Sequence, residues 1–440
     1  MQVLVIGSGP IGLTVGAALA RRGHRVLGVD RDPGPAADGT WSRRGVMQFG
    51  HAHGFRPQVR ELLVEQWPEA YEAWLAAGAE PVTIATPGPG PGAVGVRSRR
   101  GTYERALRSA AACMPGLTLR AGHVDGLGDR GGRVVGAVVD GALVEADLVV
   151  DASGRASRLA AAGPKGGAVV GGDCGIAYVN RLYRHHAGVE PGPFTNPIGW
   201  FGEYDGYQVL IFPHERGWFS AVIVRPTADP ELKVLRHREA FDAACAAIPG
   251  LATWTDPDRS APAGEVSVGG HLENVYRPQR GLLGLVAVGD AITTTAPTAG
   301  RGVAMGSMQI GALLGLLDAG ADPGAAAEPF GAWCDEQVRP WVLDHVANDG
   351  EAVRRWQGAD LDLSGPLTSA AITAAAQVDP SIMRYAGPYL GMTALPESLA
   401  PAEPLARVVY GSGWRPAYSP GPTRDELLAL ASAALARPAA

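Results

Sequence analysis

The chain opens on an alternation of apolar runs and glycine-rich turns. Residues 1–6 are almost entirely apolar, residues 7–12 read Gly-Ser-Gly-Pro-Ile-Gly, and residues 13–20 are again apolar. The short run predicts a buried strand, and the longer stretch after the glycines predicts a helix. Strand, glycine turn and helix in this order form the context in which a Gly-x-Gly-x-x-Gly pattern indicates a dinucleotide-binding site.

Each position of this turn has a physical role. Gly7 allows the tight turn, Gly9 lets the backbone approach a pyrophosphate, and Gly12 lets the helix pack closely on the strand. The helix that begins at Pro10 and Ile11 offers free N–H groups and a partial positive charge to that pyrophosphate. All five residues are therefore predicted to bind the cofactor.

A second apolar stretch, residues 25–29, ends at Asp30 and Arg31. An acidic residue about 20 positions beyond the glycines is expected to hold a ribose hydroxyl. We therefore add Asp30 and its neighbour Arg31 to the predicted site. The glycine pattern alone does not separate NAD from FAD.

The pattern changes twice further along the chain. Residues 170–275 contain aromatic and β-branched runs separated by turn residues, which predicts an antiparallel sheet. An apolar strand over residues 282–288 runs into Gly289-Asp290, and from residue 330 onward the pattern is helical. We predict an α/β fold (α+β overall). It has a Rossmann-type dinucleotide-binding domain (1–165 and 276–329), an inserted mixed or antiparallel substrate sheet (166–275) and a helical C-terminal segment (330–440).

Composition excludes several classes of function. The net charge of −6 gives no basic surface for nucleic acid, and no apolar run approaches the roughly 20 residues that span a bilayer. The four cysteines are far apart and form no Cys-x-x-Cys, which predicts reduced thiols and a cytoplasmic protein with no signal peptide. No residue pattern predicts a metal site.

Three further segments sharpen the interpretation: residues 43–53, residues 147–158 with Asp151 at a strand end, and residues 289–302. With these motifs the chain resembles the FAD-dependent oxidoreductases of the para-hydroxybenzoate hydroxylase type, which include single-component aromatic hydroxylases and flavin epoxidases. The order of motifs covers residues 1 to about 320. No second glycine fingerprint is present for a resident NAD(P)H.

The resemblance assigns roles by position. The opening glycines would hold the FAD pyrophosphate, and Asp30 the adenosine ribose. Asp290 would bind on the ribitol and pyrophosphate side, and the helix opened by Gly300 to Gly302 would point at the flavin pyrimidine ring. The remaining cofactor-binding residues that the resemblance implies are Arg43, Arg100, Val124, Asp151, Gly289, Pro297 and Arg301. Arg301 departs from the family pattern, because a glutamine or another small polar residue is frequent there.

Two histidines could take part in catalysis. His51 and His53 have the pKa range for proton transfer, and His51 could touch the flavin. The alternative is that both only form hydrogen bonds within their loop. Since a flavin carries out the difficult chemistry itself, no side chain need act as a nucleophile.

The resemblance implies a monooxygenase that inserts one oxygen from O2 into a small organic substrate, by hydroxylation or epoxidation, through a flavin C4a-(hydro)peroxide. NAD(P)H would be a transient donor, or a separate flavin reductase would supply electrons. A reductase or dehydrogenase of the geranylgeranyl-reductase kind, or a non-catalytic FAD-binding protein, are the alternatives. A halogenase is disfavoured, because its active-site lysine and Trp-x-Trp-x-x-Pro run are missing. All these hypotheses require the opening turn and residues 289–302 to converge on one cleft.

Overall fold

The computed structural model of the protein describes residues 1–43, 45–85, 92–159, 168–279 and 283–436. The predicted domain boundary at residue 165 and the first residue of the predicted strand 282–288 lie outside these ranges. The chain forms nineteen strands and thirteen α-helices within the described residues, with short 3-10 turns between them.

The first 151 residues alternate strands and helices. The elements are β1 (Gln2–Ile6), α1 (Pro10–Arg21), β2 (Arg25–Asp30), α2 (Pro57–Gln66), α3 (Pro68–Ala76), β3 (Glu80–Ile84), β4 (Gly92–Arg97), α4 (Arg100–Ala112), β5 (Leu117–Ala121), β6 (Val124–Arg130), β7 (Arg133–Val139), β8 (Ala142–Glu145) and β9 (Leu148–Asp151).

The middle of the chain is mostly strand. Its elements are β10 (Val170–Asp173), β11 (Ile176–His185), β12 (Trp200–Tyr204), β13 (Tyr207–Pro213), β14 (Trp218–Pro226), α5 (Arg238–Ala247), α6 (Pro249–Thr255), β15 (Ser260–Pro262), β16 (Ser267–Gly269) and β17 (Glu273–Tyr276).

The last part of the chain first adds two short strands and is then helical. Its elements are β18 (Leu285–Ala287), β19 (Thr293–Thr294), α7 (Gly302–Asp318), α8 (Ala327–Gln337), α9 (Arg339–Trp356), α10 (Ser369–Ala374), α11 (Met383–Leu390), α12 (Glu403–Gly411) and α13 (Arg424–Leu435).

The N-terminal part is built on a five-stranded parallel sheet in the order β18-β9-β1-β2-β5. Its central strands are buried on both faces, which explains why they read as continuous apolar runs. The carboxyl ends of β1, β2 and β9 therefore lie side by side at one edge. In an open parallel sheet this edge is where ligands bind.

A separate antiparallel sheet has the order β12-β13-β14-β11-β15, with β16 also paired to β11. One face, which includes Val209 and Ile211, packs against α5, α6 and α13. The other face carries Tyr178, Leu210 and Phe212 and packs with Ala296, which precedes the residue 297–302 segment. The two layers are joined by a small antiparallel sheet, β10-β17-β19.

The predicted fold class is confirmed. A parallel Rossmann-type sheet, an antiparallel sheet and a helical C-terminal segment occur in the predicted order. None of the helices in the described ranges combines the length and the hydropathy needed to cross a bilayer.

Candidate cofactor-binding site

A cleft of about 1570 Å³ lies at the carboxyl edge of the parallel sheet. The opening turn, the end of β2, the loop around Arg43, the start of α4 and the loop after β9 all line it. Three residues from much later in the chain also line the cleft: Asp290, Gly302 and Val303. The opening turn and two residues of the 289–302 segment, Asp290 and Gly302, thus line one cleft, as the sequence interpretation requires.

The glycines of the turn are fixed by close backbone contacts. Gly7 has φ +97°, and a Cβ placed on it would lie 2.4 Å from the carbonyl oxygen of Ala152. A Cβ on Gly12 would lie 1.9 Å from the carbonyl oxygen of Gly7. Gly12 is therefore a packing residue below the cleft, whereas Gly7, Gly9, Pro10 and Ile11 line it.

Helix α1 begins at this turn without a side-chain cap. Gly9 occupies the N-cap position in an extended conformation, and Pro10 is the first helical residue. The first-turn N–H groups of an uncapped helix need a partner, and an anion at this position would provide one. The geometry suits a phosphate group over Gly9.

Asp30 organises the end of β2. Its carboxylate accepts hydrogen bonds from the backbone N–H of Ser8 (2.6 Å) and of Asp32 (2.9 Å) and from the guanidinium of Arg43 (3.0 Å). The neighbouring Asp32 accepts from Trp41 (2.9 Å) and Arg43 (3.2 Å). Burial opposes ionisation of Asp32, but these hydrogen bonds and the arginine charge together lower the pKa of its carboxyl.

Two arginines of the cleft share one buried carboxylate. Glu104 is 1% exposed, and its side chain accepts from Arg43 Nη1 (2.6 Å) and from Arg100 Nε (2.6 Å). Sequence reasoning missed Glu104, although an available signal was its position four residues after Arg100 on one helix face. Glu104 fixes both guanidinium groups at the edge of the cleft.

Asp290 is the acidic group that the late part of the chain contributes to the cleft. It follows β18, and Gly302 lies next to it, since a Cβ on Gly302 would be 3.9 Å from Asp290 Oδ1. Burial raises the pKa of the Asp290 carboxyl, and the charges of Arg100, Arg155 and Arg277 oppose this shift.

Gly289 sets the position of Asp290. It has φ +65°, and its N–H donates to Gln309 Oε1 of α7 (2.5 Å). Gly289 itself packs against Ile11 rather than lining the cleft. The contact therefore joins this turn to α1 and α7.

The structure distributes the other predicted residues over two regions. Arg31, Arg43, Arg100 and Val124 line the cleft together with the turn residues. Asp151 is buried behind it and accepts from Ser153 Oγ (2.6 Å) and Ser157 Oγ, so that it shapes the loop that forms one wall. Pro297, Gly300 and Arg301 do not line the cleft; they form the segment just before Gly302.

The two histidines lie beside the site rather than in the cleft. His51 Nδ1 is 2.8 Å from the hydroxyl of Tyr178 on the antiparallel sheet, and burial lowers the pKa of His51 to about 4. His53 packs against Phe55, with ring centroids 4.7 Å apart. Burial, with the charges of Arg100 and His214, puts the pKa of His53 well below its usual value. Both imidazoles are therefore neutral at pH 7.

The chemistry of the cleft fits a dinucleotide that carries both phosphates and a chain of hydroxyl groups. An uncapped helix start and two arginines suit phosphates, and a carboxylate near Gly302 suits hydroxyl groups. No group of three or more His, Cys, Asp or Glu side chains suited to a metal ion occurs within the described residues.

Comparisons with known proteins bear on the N-terminal residues and on the overall fold. Residues 2–88 match the family described as FAD dependent oxidoreductase. A stretch of 51 residues is 43% identical to D-amino acid dehydrogenases of Sinorhizobium medicae (strain WSM419) and of Rhizobium johnstonii. These matches cover 12% of this chain and only 12% of the length of each dehydrogenase.

Solved structures resemble a much larger part of the chain. The flavin-dependent brominase Bmp2 has a TM-score of 0.62 at 17% identity, covering 94% of this chain and 100% of that one. CabE, an aromatic hydroxylase from angucycline biosynthesis, has a TM-score of 0.57 at 18% identity, covering 94% and 77%. PqsL, a probable FAD-dependent monooxygenase from Pseudomonas aeruginosa, has a TM-score of 0.52 at 16% identity, covering 81% and 98%.

These identities show a shared fold and do not transfer a substrate. The resemblance predicted from the motifs is confirmed at this level, because residues 2–88 match a FAD dependent oxidoreductase family and the chain has the fold of known flavin-dependent enzymes. Residues 2–88 of the chain therefore resemble the FAD dependent oxidoreductase family, and the chain shares its overall fold with the flavin-dependent brominase Bmp2 and the aromatic hydroxylase CabE.

Proposed function

We propose that this protein is a FAD-dependent monooxygenase that transfers one oxygen atom from O2 to a small organic substrate. The observation that carries the proposal is the single cleft that joins the opening glycine turn to Asp290 and Gly302. Bound FAD would supply the redox chemistry, with electrons from NAD(P)H or from a separate flavin reductase.

The residues of the chain would bind and orient the cofactor. The start of α1, together with Arg43 and Arg100, would bind the pyrophosphate, and Asp290 would accept hydrogen bonds from hydroxyl groups of the ribityl chain. Val124 also lines the cleft, and the adenine would be placed against it. This arrangement leaves the flavin ring on the side of Gly302.

The substrate would lie between this end of the cleft and the antiparallel sheet. The sheet face with Tyr178, Leu210 and Phe212 packs with Ala296 and, at its edge, with Met47 and Ala52. Such apolar walls exclude water, which protects reactive intermediates from hydrolysis. The neutral His51–Tyr178 pair is a polar contact in this wall, and it can orient a substrate through a hydrogen bond.

The first test of the function is a measurement of flavin binding and oxygen use. We expect the purified protein to be yellow or to bind added FAD. With NADH, NADPH or a reductase, turnover of a substrate should consume stoichiometric O2, and label from ¹⁸O2 should enter the product. Turnover that continues without oxygen would favour the reductase, and flavin that no donor reduces would favour a non-catalytic protein. Failure to bind FAD at all would refute the proposal.

A substitution at Asp290 tests the predicted binding mode. Asp290→Asn removes the charge with little change in shape. Because hydrogen bonds to a charged group contribute about 1.5–3 kcal/mol, we expect FAD affinity to fall by roughly 10- to 100-fold. Fluorescence titration of the apoprotein measures this effect. Asp258→Asn, at an exposed turn residue, is the control, and an equal affinity of both variants would remove Asp290 from the site.

A further inference from the structure

The side chain of Arg301 points to the C-terminal helices instead of the cofactor cleft. Its Nη1 lies 2.7 Å from Asp344 Oδ2 in α9, and its Nη2 donates to the hydroxyl of Tyr389 in α11 (2.8 Å). The Tyr389 hydroxyl in turn donates to Asp344 Oδ2 (2.7 Å). The three groups form a closed triad, which joins the segment before Gly302 to two helices far along the chain.

The triad is deeply buried and surrounded by aromatic rings. The side chains of Arg301 and Asp344 are 5% and 3% exposed. The guanidinium carbon lies 4.7 Å from the ring centre of Trp341 and 5.1 Å from that of Tyr389. A guanidinium over aromatic faces in a desolvated position is held by cation–π attraction as well as by its ion pair.

A second arginine holds the same segment. Arg56 donates from Nε (3.1 Å) and Nη2 (2.8 Å) to the carbonyl oxygen of Ala299, and from Nη1 to that of Leu390 (2.7 Å). The neighbouring Gln58 donates to the carbonyl oxygen of Gly391 (2.7 Å). The segment and the end of α11 are therefore tied together through two arginines.

Residues 297–301, the segment before Gly302, form little regular structure by themselves. Residues 297–299 form a single 3-10 turn, and Gly300 follows with φ +62° and a backbone hydrogen bond to Pro297. Gly302 then opens α7 at the wall of the cleft, beside Asp290. A displacement of Arg301 would therefore move the first N–H groups of α7 relative to any ligand in the cleft.

We propose that Arg301 and Asp344 form a positioning pair, through which the C-terminal helices set the position of Gly302 and the start of α7 at the flavin. In this role Arg301 binds no cofactor atom with its side chain. Its charge, fixed and compensated by Asp344, is part of the electrostatic environment at the flavin end of the cleft. The inference depends on the proposed binding of FAD.

The buried geometry supports this role over simple packing. Arg301 Nε is buried without a hydrogen-bond partner among the described residues, so that its desolvation is not compensated. Replacing a buried ion pair by apolar groups of similar volume is often neutral or stabilising. An ion pair here is therefore better explained by the fixed position that it imposes than by its stabilising energy.

Two substitutions test the positioning pair. Asp344→Asn removes the compensating charge, and Tyr389→Phe removes only the hydroxyl and keeps the ring. We expect FAD affinity to fall at least tenfold for Asp344→Asn and a few-fold for Tyr389→Phe. The visible absorption bands of bound flavin should change in both variants. The midpoint potential should rise in Asp344→Asn, since the positive charge of Arg301 is no longer balanced.

The control is a different, more exposed ion pair, which joins α13 to the residues after β14 and whose arginine also pairs with Glu231 and Asp425. Arg424 binds Asp229 through Nε and Nη2, both at 2.8 Å. Asp229→Asn should lower the thermal midpoint without changing the flavin spectrum or potential. Wild-type affinity, spectrum and potential in folded Asp344→Asn would overturn the proposal. If that variant does not fold, wild-type behaviour of Tyr389→Phe overturns it instead. Absence of FAD binding by the wild-type protein would refute the proposed function itself.

Discussion

Gly12→Ala is expected to abolish FAD binding and to destabilise the N-terminal domain. The new Cβ would lie 1.9 Å from the carbonyl oxygen of Gly7 and 3.3 Å from Ala152 Cβ. Because the first contact is with backbone, the start of α1 must move away from β1. Forcing a methyl group into a close-packed site costs about 1–3 kcal/mol, and the displaced helix start would no longer be aimed at the pyrophosphate. We expect at least a 100-fold loss of affinity in a fluorescence titration.

A matched control separates this contact from a general effect of the alanine. Gly315 lies in helix α7, and a Cβ at that position would meet no atom within 4 Å apart from its chain neighbours and the backbone of its own helix. Gly315→Ala should keep FAD affinity and raise stability by up to about 1 kcal/mol, because alanine has the higher helix propensity. Retention of FAD by Gly12→Ala, at the level of Gly315→Ala, would show that this glycine does not set the shape of the turn.

The sequence predicted the backbone of the cleft because local patterns determine it. The opening strand, the glycine turn and α1 follow from apolar periodicity and from the close contacts that only glycine permits. Asp30 and Asp290 follow from their positions after buried strands, because the carboxyl ends of neighbouring parallel strands meet at one edge. These residues needed no knowledge of distant side chains.

The sequence could not predict which side chains pair across the structure. The position of Arg301 in a motif predicts a contact with the cofactor, whereas its guanidinium binds Asp344 and Tyr389, which lie 43 and 88 positions away. The position of Asp151 predicts the same, whereas its carboxylate binds Ser153 and Ser157. Neither residue lines the cleft itself. Each one holds a neighbouring backbone segment that does: Arg301 the start of α7 at Gly302, and Asp151 the loop after β9.

The pKa values of the two histidines likewise could not be predicted from the sequence. A free imidazole has the pKa for proton transfer near neutral pH, which made His51 and His53 candidates. Burial in the folded chain lowers both pKa values, so that the pair is neutral and His51 bonds to Tyr178. Desolvation depends on the packing of the loop against the antiparallel sheet, and no local pattern in residues 43–53 reports it.

Glu104→Gln is expected to lower the stability of the apoprotein strongly, because Glu104 balances the charges of two arginines. Its carboxylate lies 2.6 Å from both Arg43 Nη1 and Arg100 Nε. Removing one partner of a buried ion pair costs about 3–5 kcal/mol, so we expect a marked fall in the thermal midpoint of the apoprotein. Bound FAD should restore part of this loss, since its phosphates would compensate the same arginines.

The control for Glu104→Gln is the exposed pair of Arg130 and Glu145, whose side chains are 73% and 65% exposed. Glu145→Gln should change stability by less than about 1 kcal/mol, because water already screens that pair. Both variants are compared by thermal unfolding with and without FAD. If Glu104→Gln unfolds at the same temperature as Glu145→Gln, the two arginines do not depend on Glu104. If FAD stabilises Glu104→Gln no more than the wild-type protein, then the phosphates do not take the place of its carboxylate.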